Sequence, residues 1–136
     1  PPKTRSGFLA DEDRDTPWLA GERQTAGLQA MAPDITGIVA MDENLAAGAL
    51  RGLQRLGRRI PEDVSLVSLG DLAAFRLSTP NVTAVDRPHE RIGRMAATRL
   101  LKSIGNANAP TQIVTRLEPV LIERGSVCSV PLVKGR

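Results

Sequence analysis

The chain has 136 residues, of which 41% are hydrophobic and 24% are charged. This length supplies one hydrophobic core and leaves no room for two complete domains. The formal net charge is only +3, and the chain has no tyrosine, two phenylalanines and one tryptophan. Proteins that read single-stranded nucleic acid stack bases on aromatic side chains, so the composition disfavours that class.

The sequence also lacks the common motifs for catalysis, metal binding and cofactor binding. Cys128 is the sole cysteine, so we expect no internal disulfide and no thiolate metal site. The sequence has no histidine pair, no G-x-S-x-G turn and no glycine-rich dinucleotide loop. It also has no apolar run long enough to cross a bilayer, and residues 1–3 begin nothing like a secretory signal. We therefore expect a cytoplasmic protein that is not an enzyme, with no metal, cofactor or membrane contact.

The first third of the chain predicts a lead-in followed by a helix. Residues 1–15 show no sustained hydrophobic period and carry a dense mixed-charge run, so we expect them to be irregular. Thr16 followed by Pro17 is typical of a helix start. The helix is expected over residues 17–31, although Gly21 and Gly27 weaken it.

Residues 34–71 predict a strand, a helix and a second strand. Residues 35–41 form a short apolar run, and Asp42 is a plausible N-cap for the helix that follows. That helix is expected over residues 43–56, with Gly57 as a left-handed residue after its end. Residues 64–69 are the second strand. Two apolar strands joined by a helix predict a right-handed βαβ unit of a parallel sheet.

The remaining segments predict smaller elements. Residues 72–77 indicate a short helical turn, residues 82–85 a third strand, and residues 89–104 the most regular helix of the chain. Residues 112–117 and 120–123 are strand-like and are separated by Glu118-Pro119, where proline favours a sheet edge. Residues 128–136 are expected to form a flexible tail.

Three stretches of the sequence resemble the C-terminal half of the lactose-repressor/galactose-repressor (LacI/GalR) transcription regulators. They read ITGIVAMDENLAAGALRGLQRLGRRIPEDVSLVSLGD, STPNVTAVDRPHERIGRMAATRLL and EPVLIERGSV. The resemblance covers residues 16–127 and implies a lobe of a periplasmic-binding-protein-like (type I) fold, a three-layer α/β structure with a parallel sheet. It implies a lobe that binds a small, sugar-like effector and forms dimers. The helix-turn-helix and most of the other lobe have no counterpart here, so we expect a truncated sensor that does not bind operator DNA by itself.

Candidate effector-binding residues lie where strands end, because ligands of open α/β sheets bind beyond the carboxyl ends of the strands. Asp42 matches a position that usually holds a polar group on the effector, but it also suits a helix N-cap, and the two roles are compatible. Gly70 matches a position that often carries an effector-binding aspartate, and here the acid stands one residue later. Asp71 is therefore either a ligand group or a loop or capping acid.

Further candidates come from the same resemblance. The aromatic platform that stacks on a sugar in the family aligns with Thr16, and Trp18 either substitutes for it or belongs to the core. In the family, a segment that matches residues 85–88 crosses between the lobes and is followed by a helix. Arg87 and His89 match this region, which can touch the effector in the family. For His89 we favour a capping or surface role over effector contact.

Two kinds of association follow from the resemblance. The family dimerises through surfaces that here hold Ala47, Leu50, Arg51, Phe75 and Ser78. The helix over residues 89–104 normally packs on the other lobe, and its apolar stripe comprises Ile92, Leu100, Leu101 and Ile104. Leaving such side chains in water forgoes roughly 1.5–3 kcal/mol each, so we expect this helix to fold back, to fray or to pair with another copy, giving a homo-oligomer. The alternative function is an interaction module that binds no effector.

Overall fold

A computed structural model of the protein describes residues 16–104 and 114–129. The described residues form, in chain order, these elements: α1 Pro17–Met31, β1 Gly37–Ala40, α2 Glu43–Arg55, β2 Ser65–Ser68, a 3-10 helix Ala73–Arg76, β3 Thr83–Asp86, α3 His89–Ser103 and β4 Val120–Ile122. Each lies within or next to the segment that predicted it. The predictions for residues 1–15 and for residues 130–136 of the tail lie outside the described residues.

The four strands form one open, mainly parallel sheet in the order β1-β2-β3-β4. β1 and β2 pair in parallel with Val39 opposite Val67, and β2 and β3 pair in parallel with Val67 opposite Thr83. β4 runs antiparallel to β3 at the edge, directly after Pro119. The predicted α/β class with a parallel sheet is therefore confirmed. The strand predicted over residues 112–117 is wrong for residues 114–117, which form no strand, and its first two residues are not described.

Helix α2 begins and ends where its sequence predicts. Asp42 Oδ1 accepts hydrogen bonds from the backbone N–H groups of Asn44 at 2.8 Å and Leu45 at 2.9 Å, which satisfies donors left free in the first turn. Gly57 follows the helix with φ of +68°, a conformation that costs glycine little. One face of α2 covers β1 and β2 and supplies Ala46, Ala49 and Leu53 to the core.

The core lies between the sheet and α2. Its buried members are Ala40, Ala46, Ala49, Leu53, Ile60, Val64, Leu66, Phe75 and Val82. A buried serine fastens the C-terminal segment to this core. Ser126 Oγ donates to the Leu66 carbonyl at 2.6 Å and accepts from the Thr83 N–H at 2.8 Å, so it links β2 to β3 where their direct pairing stops.

Helices α1 and α2 pack with almost no side chain between them. The buried positions of α1 are Gly21, Thr25 and Gln29, one helical turn apart on a single face. A Cβ atom placed on Gly48 would lie 2.8 Å from the Glu22 nitrogen and 2.9 Å from the Trp18 carbonyl carbon. A Cβ atom placed on Gly21 would lie 2.9 Å from the Leu45 Cα atom, so Gly21, which weakens the prediction of α1, and Gly48 together let the two helices approach.

Helix α3 buries no residue within the described part of the chain. Its stripe of Ile92, Leu100, Leu101 and Ile104 is 46–70% exposed. The helix is continuous over His89–Ser103 and its stripe is not folded back onto the lobe, and fraying or pairing with another copy stays a prediction. The described residues thus supply the sheet and one helical layer of the three predicted layers, and Val39 on the opposite face of the sheet is 62% exposed.

Candidate functional site

The carboxyl ends of the three parallel strands bring polar residues together at one edge of the sheet. Asp42 and Glu43 follow β1, Gly70 follows β2 and Arg87 follows β3. The Leu69 N–H donates to the Ala40 carbonyl at 2.9 Å, which extends the pairing of β1 and β2 up to this edge. The predicted residues Asp42 and Arg87 therefore lie on the same edge, as expected for strands of a parallel sheet.

Glu43 and Arg87 form an ion pair next to Gly70. Arg87 Nη2 lies 3.6 Å from Glu43 Oε2, too far for a hydrogen bond. Gly70 has φ of +141°, and a Cβ atom placed on it would come closer than 3.0 Å to Glu43 Oε2. That oxygen is shielded from solvent and has no hydrogen-bond partner. Sequence reasoning missed Glu43, because it stood among the polar residues of α2 and only the backbone of Gly70 reveals its position.

Asp71, one residue after Gly70, is paired with Arg124. Its two oxygens accept from Arg124 Nη1 and Nη2, both at 2.7 Å, and only 7% of its side chain is exposed. Arg124 Nη1 also donates to the Val82 carbonyl at 2.7 Å. The bidentate pair lowers the pKa of Asp71 and raises that of Arg124. Each carboxylate oxygen therefore accepts a hydrogen bond from Arg124, and the role of Asp71 as a ligand group stays a prediction.

The two candidates for an aromatic platform, Thr16 and Trp18, lie at the N-terminal end of α1. Thr16 is exposed at the N-terminus of α1, where its side chain makes no capping hydrogen bond. The ring of Trp18 lies 5.0 Å from the Arg51 guanidinium carbon, a cation–π contact. Arg51 stands nine residues after Asp42, about 13 Å further along α2. The structure thus places Trp18 in the contact between α1 and α2 and does not bring it to Asp42 or Arg87.

The residues predicted for dimerisation fall in different environments. Phe75 is 1% exposed and belongs to the core, so its prediction as a surface contact is wrong. Ala47 and Leu50 pack partly against the same core, and Ser78 Oγ donates within its own turn. Arg51 remains half-exposed. His89 is exposed at the first residue of α3, and its backbone N–H donates to the Arg87 carbonyl at 2.7 Å.

The N-cap role of Asp42 can be tested by substitution. Asp42→Ala is expected to lower the free energy of unfolding by about 1 kcal/mol, because two N–H groups of α2 lose their acceptor. Asp42→Asn retains a capping oxygen and should leave stability close to that of the unmodified chain. Urea titration followed by circular dichroism measures both, and equal losses in the two variants would contradict the capping role.

Some features are not found in the part of the chain that the structure describes. No helix there is both long enough and apolar enough to pass through a membrane. Within residues 16–104 and 114–129, no group of three or more His, Cys, Asp or Glu residues is arranged to hold a metal ion.

Comparison with known proteins gives a consistent match. A family model described as a periplasmic binding protein-like domain matches residues 4–127. The HTH-type transcriptional regulator MalR of Streptomyces coelicolor is 34% identical over 113 residues, which are 83% of this chain and 33% of that protein. The HTH-type transcriptional repressor PurR of Serratia proteamaculans is 36% identical over 92 residues, 68% of this chain and 27% of the repressor.

The similar solved structures include transcriptional regulators of the LacI family. A LacI family transcriptional regulator from Arthrobacter sp. FB24 in complex with lactose has a TM-score of 0.70 and 27% identity, over 81% of this chain and 42% of that one. The chain belongs to the LacI/GalR family. A second LacI family regulator, from Enterococcus faecium with bound ribose, has a TM-score of 0.73 and 27% identity, over 83% of this chain and 41% of that one. This LacI/GalR chain spans about a third of the length of the MalR protein that it matches.

Proposed function

We propose that this chain provides one lobe of the effector-binding domain of a transcription regulator, with a sugar-like small molecule as effector. The observation that carries the proposal is the convergence of Asp42, Glu43, Gly70 and Arg87 at the carboxyl ends of three parallel strands. Two LacI family structures with the same fold are complexes with lactose and with ribose. In this proposal the lobe works in the cytoplasm and contacts operator DNA only through a helix-turn-helix outside residues 16–127.

The proposed site is a binding site and not a catalytic one. Asp42 Oδ1 is engaged by the backbone of α2, and both oxygens of Asp71 are engaged by Arg124, which favours binding and structural roles over proton transfer for these two residues. The named relatives are transcription regulators. The alternative of an interaction module without an effector is less well supported, because the likeness to sugar-bound regulators extends over about four fifths of the chain.

A titration monitored residue by residue tests this function. The uniformly ¹⁵N-labelled chain is titrated with ribose, lactose and cellobiose while its backbone amide signals are recorded, because this measurement detects weak binding by a single lobe. At least one sugar is expected to cause saturable shifts that are confined to residues 42–44, 69–71 and 86–89. The amides of Gly27 and Gly93, away from the strand ends, serve as internal controls. If none of the three sugars shifts any of these amide signals up to its solubility limit, the proposal is contradicted.

A further inference from the structure

We propose that Glu43, held beside Arg87 and over Gly70, is the group of this site that selects a neutral polyhydroxy effector. The inference rests on the proposed function and assigns its specificity to a residue of α2. The Glu43 carboxylate and any side chain at position 70 would have to occupy the same space. The carboxylate lies where a Cβ of residue 70 would stand, so glycine at this position gives Glu43 its place at the strand ends.

The hydrogen bonding of Glu43 is incomplete. Oε2 is buried, it accepts no hydrogen bond, and its cation partner Arg87 Nη2 stays at 3.6 Å. A buried acceptor without a donor is costly. The Glu43 side chain as a whole remains 33% exposed, so a ligand hydroxyl that reaches its carboxylate can donate to Glu43 and accept from Arg87 at once. Sugars and other polyols carry hydroxyls that donate and accept together, so their chemistry matches the pair.

The charges at this edge argue against an anionic effector. Asp42, Glu43 and Asp86 lie at the strand ends with Arg87, and Asp71 nearby is already balanced by Arg124 and Arg76. With Asp71, Arg76 and Arg124 included, four carboxylates stand against three guanidinium groups, so the edge keeps a net negative charge that disfavours a phosphate or carboxylate group. Arg87 is itself only 45% exposed and is attracted to Glu43, which reduces its availability for an anion.

The test compares Glu43→Gln with the unmodified chain in the same amide titration, using ribose and ribose 5-phosphate as probes. The substitution keeps the size of the side chain and removes its charge. We expect ribose to bind about tenfold or more weakly to the variant, because a hydrogen bond to a charged acceptor is lost. We also expect the unmodified chain to prefer ribose over ribose 5-phosphate, and the variant to lose most of that preference. Glu90→Gln, which removes an exposed acid of α3 paired with Arg94, is the matched control and should change neither affinity.

The outcomes separate the two proposals. If ribose shifts the strand-end amides of the unmodified chain but binds Glu43→Gln equally well, the role of Glu43 is wrong and the effector-binding function stands. Equal affinity of the unmodified chain for ribose and for its phosphate would also overturn the inference. Absence of any shift with either probe would overturn the role of Glu43 together with binding of this sugar.

Discussion

Replacing Asp71 by alanine is expected to lower the free energy of unfolding by roughly 3–5 kcal/mol. The side chains of Asp71 and Arg124 are 7% and 11% exposed, and two hydrogen bonds of 2.7 Å join them. Removal of the carboxylate leaves the Arg124 guanidinium buried with the Val82 carbonyl as its remaining acceptor. The expected loss is a large part of the 5–15 kcal/mol, roughly, that stabilises a typical domain. Chemical denaturation at neutral pH measures it.

A surface ion pair provides the control. Glu90 and Arg94 pair across one turn of α3 with side chains that are 85% and 75% exposed. Glu90→Ala is expected to change the free energy of unfolding by no more than about 0.5 kcal/mol, because water already solvates both charges. If Asp71→Ala costs no more than this control, the buried pair does not hold the C-terminal segment to the sheet.

The same pair predicts a dependence of stability on pH. Its hydrogen bonds to Arg124 lower the pKa of Asp71 below the ordinary aspartate value of 3.8. The unfolded chain therefore takes up this proton first on acidification, so the stabilisation is complete above that value and is lost as pH falls through the lower pKa of the folded state. Denaturation at a series of acidic pH values should show this loss in the unmodified chain. Asp71→Ala should lack that component of the pH dependence.

Elements governed by local patterns were predictable from the sequence. The apolar arc of α2, its N-cap at Asp42 and the glycine after its end all act within a few residues of one another. The βαβ order then placed Asp42 and Arg87 on one sheet edge, because parallel strands share the direction of their carboxyl ends. The fold and the placement of these two residues at one edge therefore followed from periodicity, capping and the parallel pairing of the strands.

Pairings between distant segments were not predictable in this way. Arg124 meets Asp71 across 53 residues, and Ser126 meets Leu66 across 60. No local pattern marks these partners, since a lone arginine or serine near a chain end is compatible with many environments. The sequence for this reason left Asp71 as either a ligand group or a loop or capping acid and did not reveal its pairing with Arg124. Phe75 was assigned to a surface for the same reason, although the 3-10 helix Ala73–Arg76 buries it in the core.

The role of the glycines of α1 and α2 was also hidden in the sequence. In a single helix, glycine only raises the conformational cost of folding, so Gly21 counted against α1. Between two helices, the missing side chain permits backbone contact, and that benefit exists only once both partners are in place. The low apolar content of the buried face of α1, which is Gly21, Thr25 and Gln29, has the same explanation: this face meets the backbone of α2 more than its side chains.

Gly48→Ala is therefore expected to destabilise the protein by roughly 2–3 kcal/mol, in the upper part of the range for overpacked cores. The added methyl group would meet the backbone of Trp18 and Glu22 at less than 3.0 Å, and backbone atoms of a helix cannot move aside as the end of a side chain can. The two helices would have to separate, which exposes the buried face of α1, Gly21, Thr25 and Gln29, to water. Urea denaturation followed by circular dichroism measures the loss.

A second glycine in the same pair of helices provides the control for Gly48→Ala. Gly27 lies within α1, and a Cβ atom placed there meets nothing within 4 Å. Gly27→Ala should consequently stabilise the protein by about 0.5–1 kcal/mol, because alanine loses less conformational freedom in a helix. The same substitution thus has opposite signs at two helical positions, and only the contact between helices distinguishes them. The fluorescence of Trp18 should change in Gly48→Ala and stay constant in Gly27→Ala, whereas a stabilising Gly48→Ala would show that α1 and α2 lie farther apart.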